Sequence, residues 1–252
     1  MFKIFFAPKE RFQELGGKPE AIMALILALV LPLLIGTVAS TLLPKQILIN
    51  FTEARSARAR EFIEEQVAKG RMPSDQQESA LKRMESTLEK EVEFYQRASK
   101  ISLLSRFLVR SLPALVWSFL LLIVFTAILN LFLPLLGSST SYGRMLAITS
   151  NAALIRIASA VFHAILMFAT GKLVVDTSLG ILLPTGPLFL RGLLSGVGLF
   201  TVWELLLVAM GMRVVFNLRL GRSLGVVFGV WLVYLLFLAG MVTISGGLTL
   251  SQ

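Results

Sequence analysis

The sequence predicts an all-α integral membrane protein: a five-transmembrane-helix bundle with an extramembrane helical hairpin between spans one and two. Three observations predict it. Residues 21–43 read AIMALILALVLPLLIGTVASTLL without one ionisable side chain. A helix of that length, rising ~1.5 Å per residue, exceeds the roughly 30 Å hydrocarbon thickness of a bilayer. Four later stretches, 112–136, 145–171, 193–212 and 223–244, are likewise long and mainly apolar. Hydrophobic residues make up 56% of the chain and charged residues 15%, against about 25% charged in an ordinary soluble domain; mean hydropathy is +0.79.

Residues 1–20 place Phe2, Phe5, Phe6, Phe12 and Leu15 among charges, with Pro8 suited to a helical first turn. Such a segment is expected to lie in the headgroup layer, as an anchor or a recognition element. The span at 21–43 is too long for the h-region of a cleaved signal, about 7–15 residues, and follows a polar lead rather than a short basic one.

The polar stretch 44–111 reads as a hairpin. A first helix runs from about Asn50 to Lys69 and breaks at Gly70-Arg71-Met72-Pro73. A second starts with Ser74 as N-cap and Gln77 three residues on, a capping-box pattern. Leu81, Met84, Leu88, Val92 and Tyr95 fall on one face of it, which Phe62, Ile63 and Val67 can cover. Glu85, Glu89 and Glu93 are like charges four residues apart, as on a solvated outer face.

The third span is the most polar, carrying Asn151, Arg156 and His163. Counted from their cytoplasmic ends, Arg156 is eleven residues deep and Glu204, in the fourth span, nine, a mismatch of about 3 Å. An isolated charge at the bilayer centre costs on the order of 3 kcal/mol by insertion scales, and pairing offsets much of that. The two are therefore read as a buried ion pair, with a transported-ion or ligand site as the sharper alternative. His163 suits a hydrogen bond inside the bundle or a proton relay. Gly192 and Gly196 in span four, and Gly221, Gly225 and Gly229 at the start of span five, have the fourfold spacing that lets helices approach closely in lipid. Packing of spans four and five on each other, or homodimerisation through the same ridge, follows from it.

Composition excludes several chemistries. There is no cysteine and one histidine, so disulfides, thiolate metal sites and multi-histidine clusters are out. No glycine loop leads from a strand to a helix with Lys-Ser/Thr, and no serine stands beside a base, so neither catalysis nor a cofactor is expected. The formal charge of +9 sits in membrane-flanking segments, where anionic headgroups account for it without a nucleic-acid partner. Lys3, Lys9, Arg11, Lys18, Arg144, Arg213, Arg219 and Arg222 fall on one side of the membrane, against Lys172 and Arg191 on the other. Eight against two predicts a cytoplasmic N-terminus and an outside C-terminus. The 44–111 segment, with thirteen Lys/Arg and ten acidic residues, then lies outside; at that length its charges count little.

The run Ala7-Pro-Lys-Glu-Arg-Phe12 with Lys18-Pro19 resembles the opening of the Yip domain family, the Ypt/Rab-interacting membrane proteins. Asp176-Thr-Ser-Leu-Gly-Ile-Leu-Leu183 leading to Phe200-Thr-Val-Trp-Glu204 and Gly211 is similar to its central signature. Leu218-Arg-Leu-Gly-Arg-Ser223 and Val230-Trp231 are similar to its end, and 44–111 resembles a variable insertion. The resemblance, closest to bacterial members, implies a five-span bundle in the bacterial cytoplasmic membrane with a cytosolic N-terminus. Eukaryotic relatives are trafficking factors that bind prenylated small GTPases and one another; in place of their long cytosolic N-terminal arm about twenty residues are expected here before the first span. The expected function is that of a membrane adaptor or assembly factor without catalysis, in contact with membrane lipid and with a protein partner or a second copy. The alternative is a transporter or channel with a polar path near Arg156, His163 and Glu204.

Overall fold

The computed structural model describes residues 3–17, 21–43, 74–97, 103–172, 175–183 and 188–244, with scattered residues between 47 and 68. Ten helices can be followed: α1 Lys3–Phe6, α2 Pro8–Gly17, α3 Ala21–Leu42, α4 Ser74–Arg97, α5 Leu103–Phe132, α6 Tyr142–Ala152, α7 Ile155–Thr170, α8 Leu188–Ser195, α9 Leu199–Val215 and α10 Leu220–Ile244. Short 3₁₀ turns at Pro134–Leu136 and Leu179–Leu182 complete the set. No strand occurs among the described residues beyond a single bridge between Ser178 and Gly198.

The N-terminal segment finds apolar cover inside the bundle. Pro8 opens α2, where its missing N–H costs nothing. Ile4, Phe12 and Leu15 are buried, and α2 packs on α9 and α6. The face expected to meet the headgroup layer is thus covered by protein, while Phe6 stays exposed. On the outer side Lys3 Nζ lies 2.6 Å from Glu14 Oε1 and ties α1 to α2.

Helix α3 is apolar all round, as a span in lipid must be. Its few polar groups are satisfied: the Thr37 hydroxyl lies 2.8 Å from the Leu33 carbonyl and 3.2 Å from Ser111 Oγ on α5. It packs against α5, α6 and α7. In the polar segment α4 begins at Ser74, and Arg60 Nη2 reaches Glu85 Oε1 at 2.8 Å. Ile63 is buried and Leu81 and Met84 are half-buried. The expected break at Gly70–Pro73, the Ser74 side chain, and the Leu88, Val92 and Tyr95 side chains lie outside the described residues.

Among the described residues four segments are long and apolar enough to cross a bilayer: Ala21–Leu42, Ser111–Leu136, Tyr142–Thr170 and Leu220–Met241. The fourth expected span, 193–212, is not one continuous helix. It is divided after Ser195, and α9, with 17 residues, is about 25 Å long. The reason is local. Gly196 and Gly198 flank Val197, and glycine is the weakest helix former after proline. The freed Val197 carbonyl accepts from Leu179 N–H at 3.0 Å, so the loop before α8 repairs the backbone that the break exposes.

The core lies where α2, α6 and α9 meet, with α3, α5 and α10 closing it. Phe12, Met145, Ile148, Val208 and Met212 are fully buried there. Gly211 permits the contact: a Cβ at this position would stand 2.5 Å from Ile148 Cγ2 and 2.9 Å from Phe12 Cε1.

Candidate functional site

The third expected span bends in its middle, and the bend positions the site. Helix α6 ends at Ala152, where two polar side chains in its last turn, Thr149 and Asn151, offer the backbone local alternatives. Asn151 Nδ2 donates to the Ala147 carbonyl at 2.9 Å, and Thr149 Oγ1 lies 3.2 Å from the Met145 carbonyl. The ladder tightens to three-residue bonds, with Leu154, Arg156 and Ile157 N–H donating to Asn151, Ala153 and Leu154 carbonyls. Arg156 thereby sits in the first turn of α7 and points at α9.

There it meets Glu204. Arg156 Nε donates to Glu204 Oε2 at 2.9 Å and Nη2 to Oε1 at 2.7 Å, a two-point fork. The side chains keep 36% and 19% of their surface, and that surface faces a cleft of about 740 Å³. The cleft runs between α5 and α10 with α9 as its floor. Phe125, Ile128, Val226 and Val230 are typical of its walls, with Thr201 and Tyr234 among its few polar groups.

The remaining polar residues do not join this pair. Asn151 is fully buried and accepts from Arg11 Nε at 3.1 Å. His163 Nδ1 lies 2.8 Å from the Ser159 carbonyl and so carries a proton towards it. In the neutral ring Nε2 then accepts from the Thr177 hydroxyl at 2.9 Å. Both residues lie outside the cleft lining.

The glycine ridge behaves differently from expectation. Gly196 does pack closely, since a Cβ on it would collide with Leu235 of α10. Gly192, in α8, is half-buried. Above Gly221, Gly225 and Gly229 the space is open to 4 Å among the described residues. The expectation that these three seat a neighbouring helix of this chain is corrected: α10 packs on α8 and α9 through other faces. Gly225 and Gly229 instead line the cleft, which exists partly because they have no side chain.

Arg11 was visible in the sequence only as a positive charge, yet it is 5% exposed. Its signal was the spacing of Pro8, Arg11, Phe12 and Leu15, which puts it on the apolar stripe of α2. Among the described residues no group of three or more His, Asp or Glu is arranged to hold a metal ion.

A family model for the Yip1 domain matches residues 2–241. The chain belongs to the Yip1 domain family. No curated protein and no solved structure matches it. The Yip1 domain as matched takes in α1 and α2 as well as the long apolar helices, in keeping with the burial of Phe12 against Gly211.

Proposed function

We propose that this Yip1-domain protein is a non-catalytic membrane adaptor or assembly factor. It crosses the bacterial cytoplasmic membrane five times, with α9 as the fourth crossing, a cytoplasmic N-terminus and an outside C-terminus. The observation that carries the reading is the dispersal of the polar residues. Arg156 and Glu204 satisfy each other, while Asn151 and His163 turn to Arg11 and Thr177. Four groups on a shared path would suit transport; four groups closed on separate partners suit a scaffold. The outer face of α5 supports the same reading. Trp117, Leu120 and Leu131, three and eleven residues apart, share one helical face outside the cleft lining and are all exposed, an apolar stripe for lipid or a partner helix.

A photo-crosslinking residue at Trp117 or Leu131, followed by gentle detergent purification and mass spectrometry, tests this. A discrete protein adduct or a crosslinked dimer is expected. Solute or ion flux through liposomes holding the pure protein, abolished by Glu204→Gln, would give the transporter reading instead. Orientation is tested by Asp75→Cys, which an impermeant thiol reagent should label in intact spheroplasts.

A further inference from the structure

The cleft between α5 and α10 is open, at membrane depth and apolar apart from the Arg156–Glu204 pair and a few polar groups, and basic residues stand beyond one end of it. On α10 its lining runs from Gly225 to Phe237, a rise of twelve residue steps or about 18 Å. One leaflet of the hydrocarbon core is about 15 Å thick. The slot is therefore about as long as one lipid chain is deep. Its volume of about 740 Å³ lies within the roughly 300–1,000 Å³ of small-molecule sites.

The Gly225 end adjoins the α9–α10 turn, where Arg213, Arg219 and Arg222 are all exposed. At about 100° per residue, Arg222 falls on the helical wheel between Gly225 and Val226, both cleft residues, and one turn nearer the helix start. Arg222 is therefore on the cleft-facing side of α10, one turn before the first lining residue of that helix. After residue 97 the chain has ten Lys/Arg and two acidic residues, Asp176 and Glu204, while Glu10 and Glu14 stand on α2, which packs on α9. Glu204 is held by Arg156.

We propose that this slot binds one hydrocarbon chain of an anionic phospholipid, with the phosphate held by Arg222. The glycines leave room for the chain. The arginine, a planar donor suited to phosphate oxygens, selects the headgroup. This lipid site goes beyond the adaptor reading and stands or falls separately from it.

The test is native mass spectrometry of the delipidated full chain in mild detergent, titrated with phosphatidylglycerol or with phosphatidylcholine of the same chain length. Wild type should retain phosphatidylglycerol preferentially. Arg222→Gln should weaken that binding about tenfold, the order expected for one charge-assisted hydrogen bond, while Arg213→Gln, on α9, should change it little. Gly229→Leu should abolish binding without lowering the melting temperature, because a Cβ at this position meets open space. Val233→Trp, on the exposed α10 face, fills the same slot and serves if the first variant fails to fold. Inorganic phosphate should not compete. Equal retention of the two lipids, or full retention by both slot-filling variants, overturns the proposal. So does displacement by phosphate alone, or a wild-type dimer that both slot-filling variants split, which would assign the slot to a second copy.

Discussion

Arg11 and Asn151 stand 140 positions apart in the chain and share a buried hydrogen bond of 3.1 Å. The bond links the N-terminal helix to the residue at which the third expected span bends. Arg11 also meets Glu14 at 3.3 Å, so its charge is partnered on the solvent side. One side chain thus couples the N-terminal segment to the bend that aims Arg156 at Glu204.

Arg11→Met should therefore loosen more than α2. It leaves the Asn151 carbonyl oxygen short of a buried donor, at a cost of about 1–3 kcal/mol. Thermal melts in detergent should show a drop of that order. Proteolysis within residues 1–17 should speed up in the same variant.

The Arg156–Glu204 pair predicts a double-mutant pattern. Removing one partner strands a charge in low dielectric, so Arg156→Leu and Glu204→Leu should each destabilise by about 3–5 kcal/mol. Replacing both by leucine should recover much of the loss, since two apolar side chains leave nothing to compensate. Melts of the four proteins in one detergent decide it. Additive losses would mean that the fork contributes nothing to stability.

Two glycines of similar sequence context should respond oppositely to alanine. Gly211→Ala drives a methyl into Ile148 and Phe12 and should cost about 1–3 kcal/mol by overpacking. Gly225→Ala meets open space in a helix and should be neutral or stabilising by up to about 1 kcal/mol. A pair of melting curves suffices.

The Lys3–Glu14 contact should make the docking of α1 pH-dependent. The hydrogen bond from Lys3, helped by Arg11, lowers the Glu14 pKa, and the same bond raises that of Lys3. A lowered carboxylate contributes stability above its ordinary range and loses it as pH falls through the lowered value. A raised lysine contributes below its ordinary range and loses it as pH rises through the raised value. Protection of the α1–α2 link against protease should be flat around neutrality and fall at both acid and alkaline extremes. Lys3→Met should flatten the acid limb towards the behaviour of an unpaired glutamate.

Much of the architecture was legible because lipid imposes simple rules on sequence. A run such as 21–43, without an ionisable group, has few options other than a helix across hydrocarbon, since every backbone N–H and C=O must then be satisfied within the segment. The depths of Arg156 and Glu204 could be counted, because helical rise is constant. What could not be counted was rotation about the helix axes. The bend after Ala152 and the break at Gly196–Gly198 start from local polar and glycine residues, but the partners that complete them, Arg11 on the Asn151 side chain and Leu179 on the Val197 carbonyl, come from elsewhere in the chain. The glycines of α10 have the spacing of a packing ridge, but spacing says only that they share a face. Which face meets a helix and which meets an open cleft is set by the positions of α5, α8 and α9, a relation among distant segments. Sequence by itself determined a membrane-embedded helical bundle with a charge pair at matching depth. Tertiary structure alone decided that the pair borders a glycine-lined cleft and that Arg11 is buried, because burial depends on neighbours that no local pattern contains.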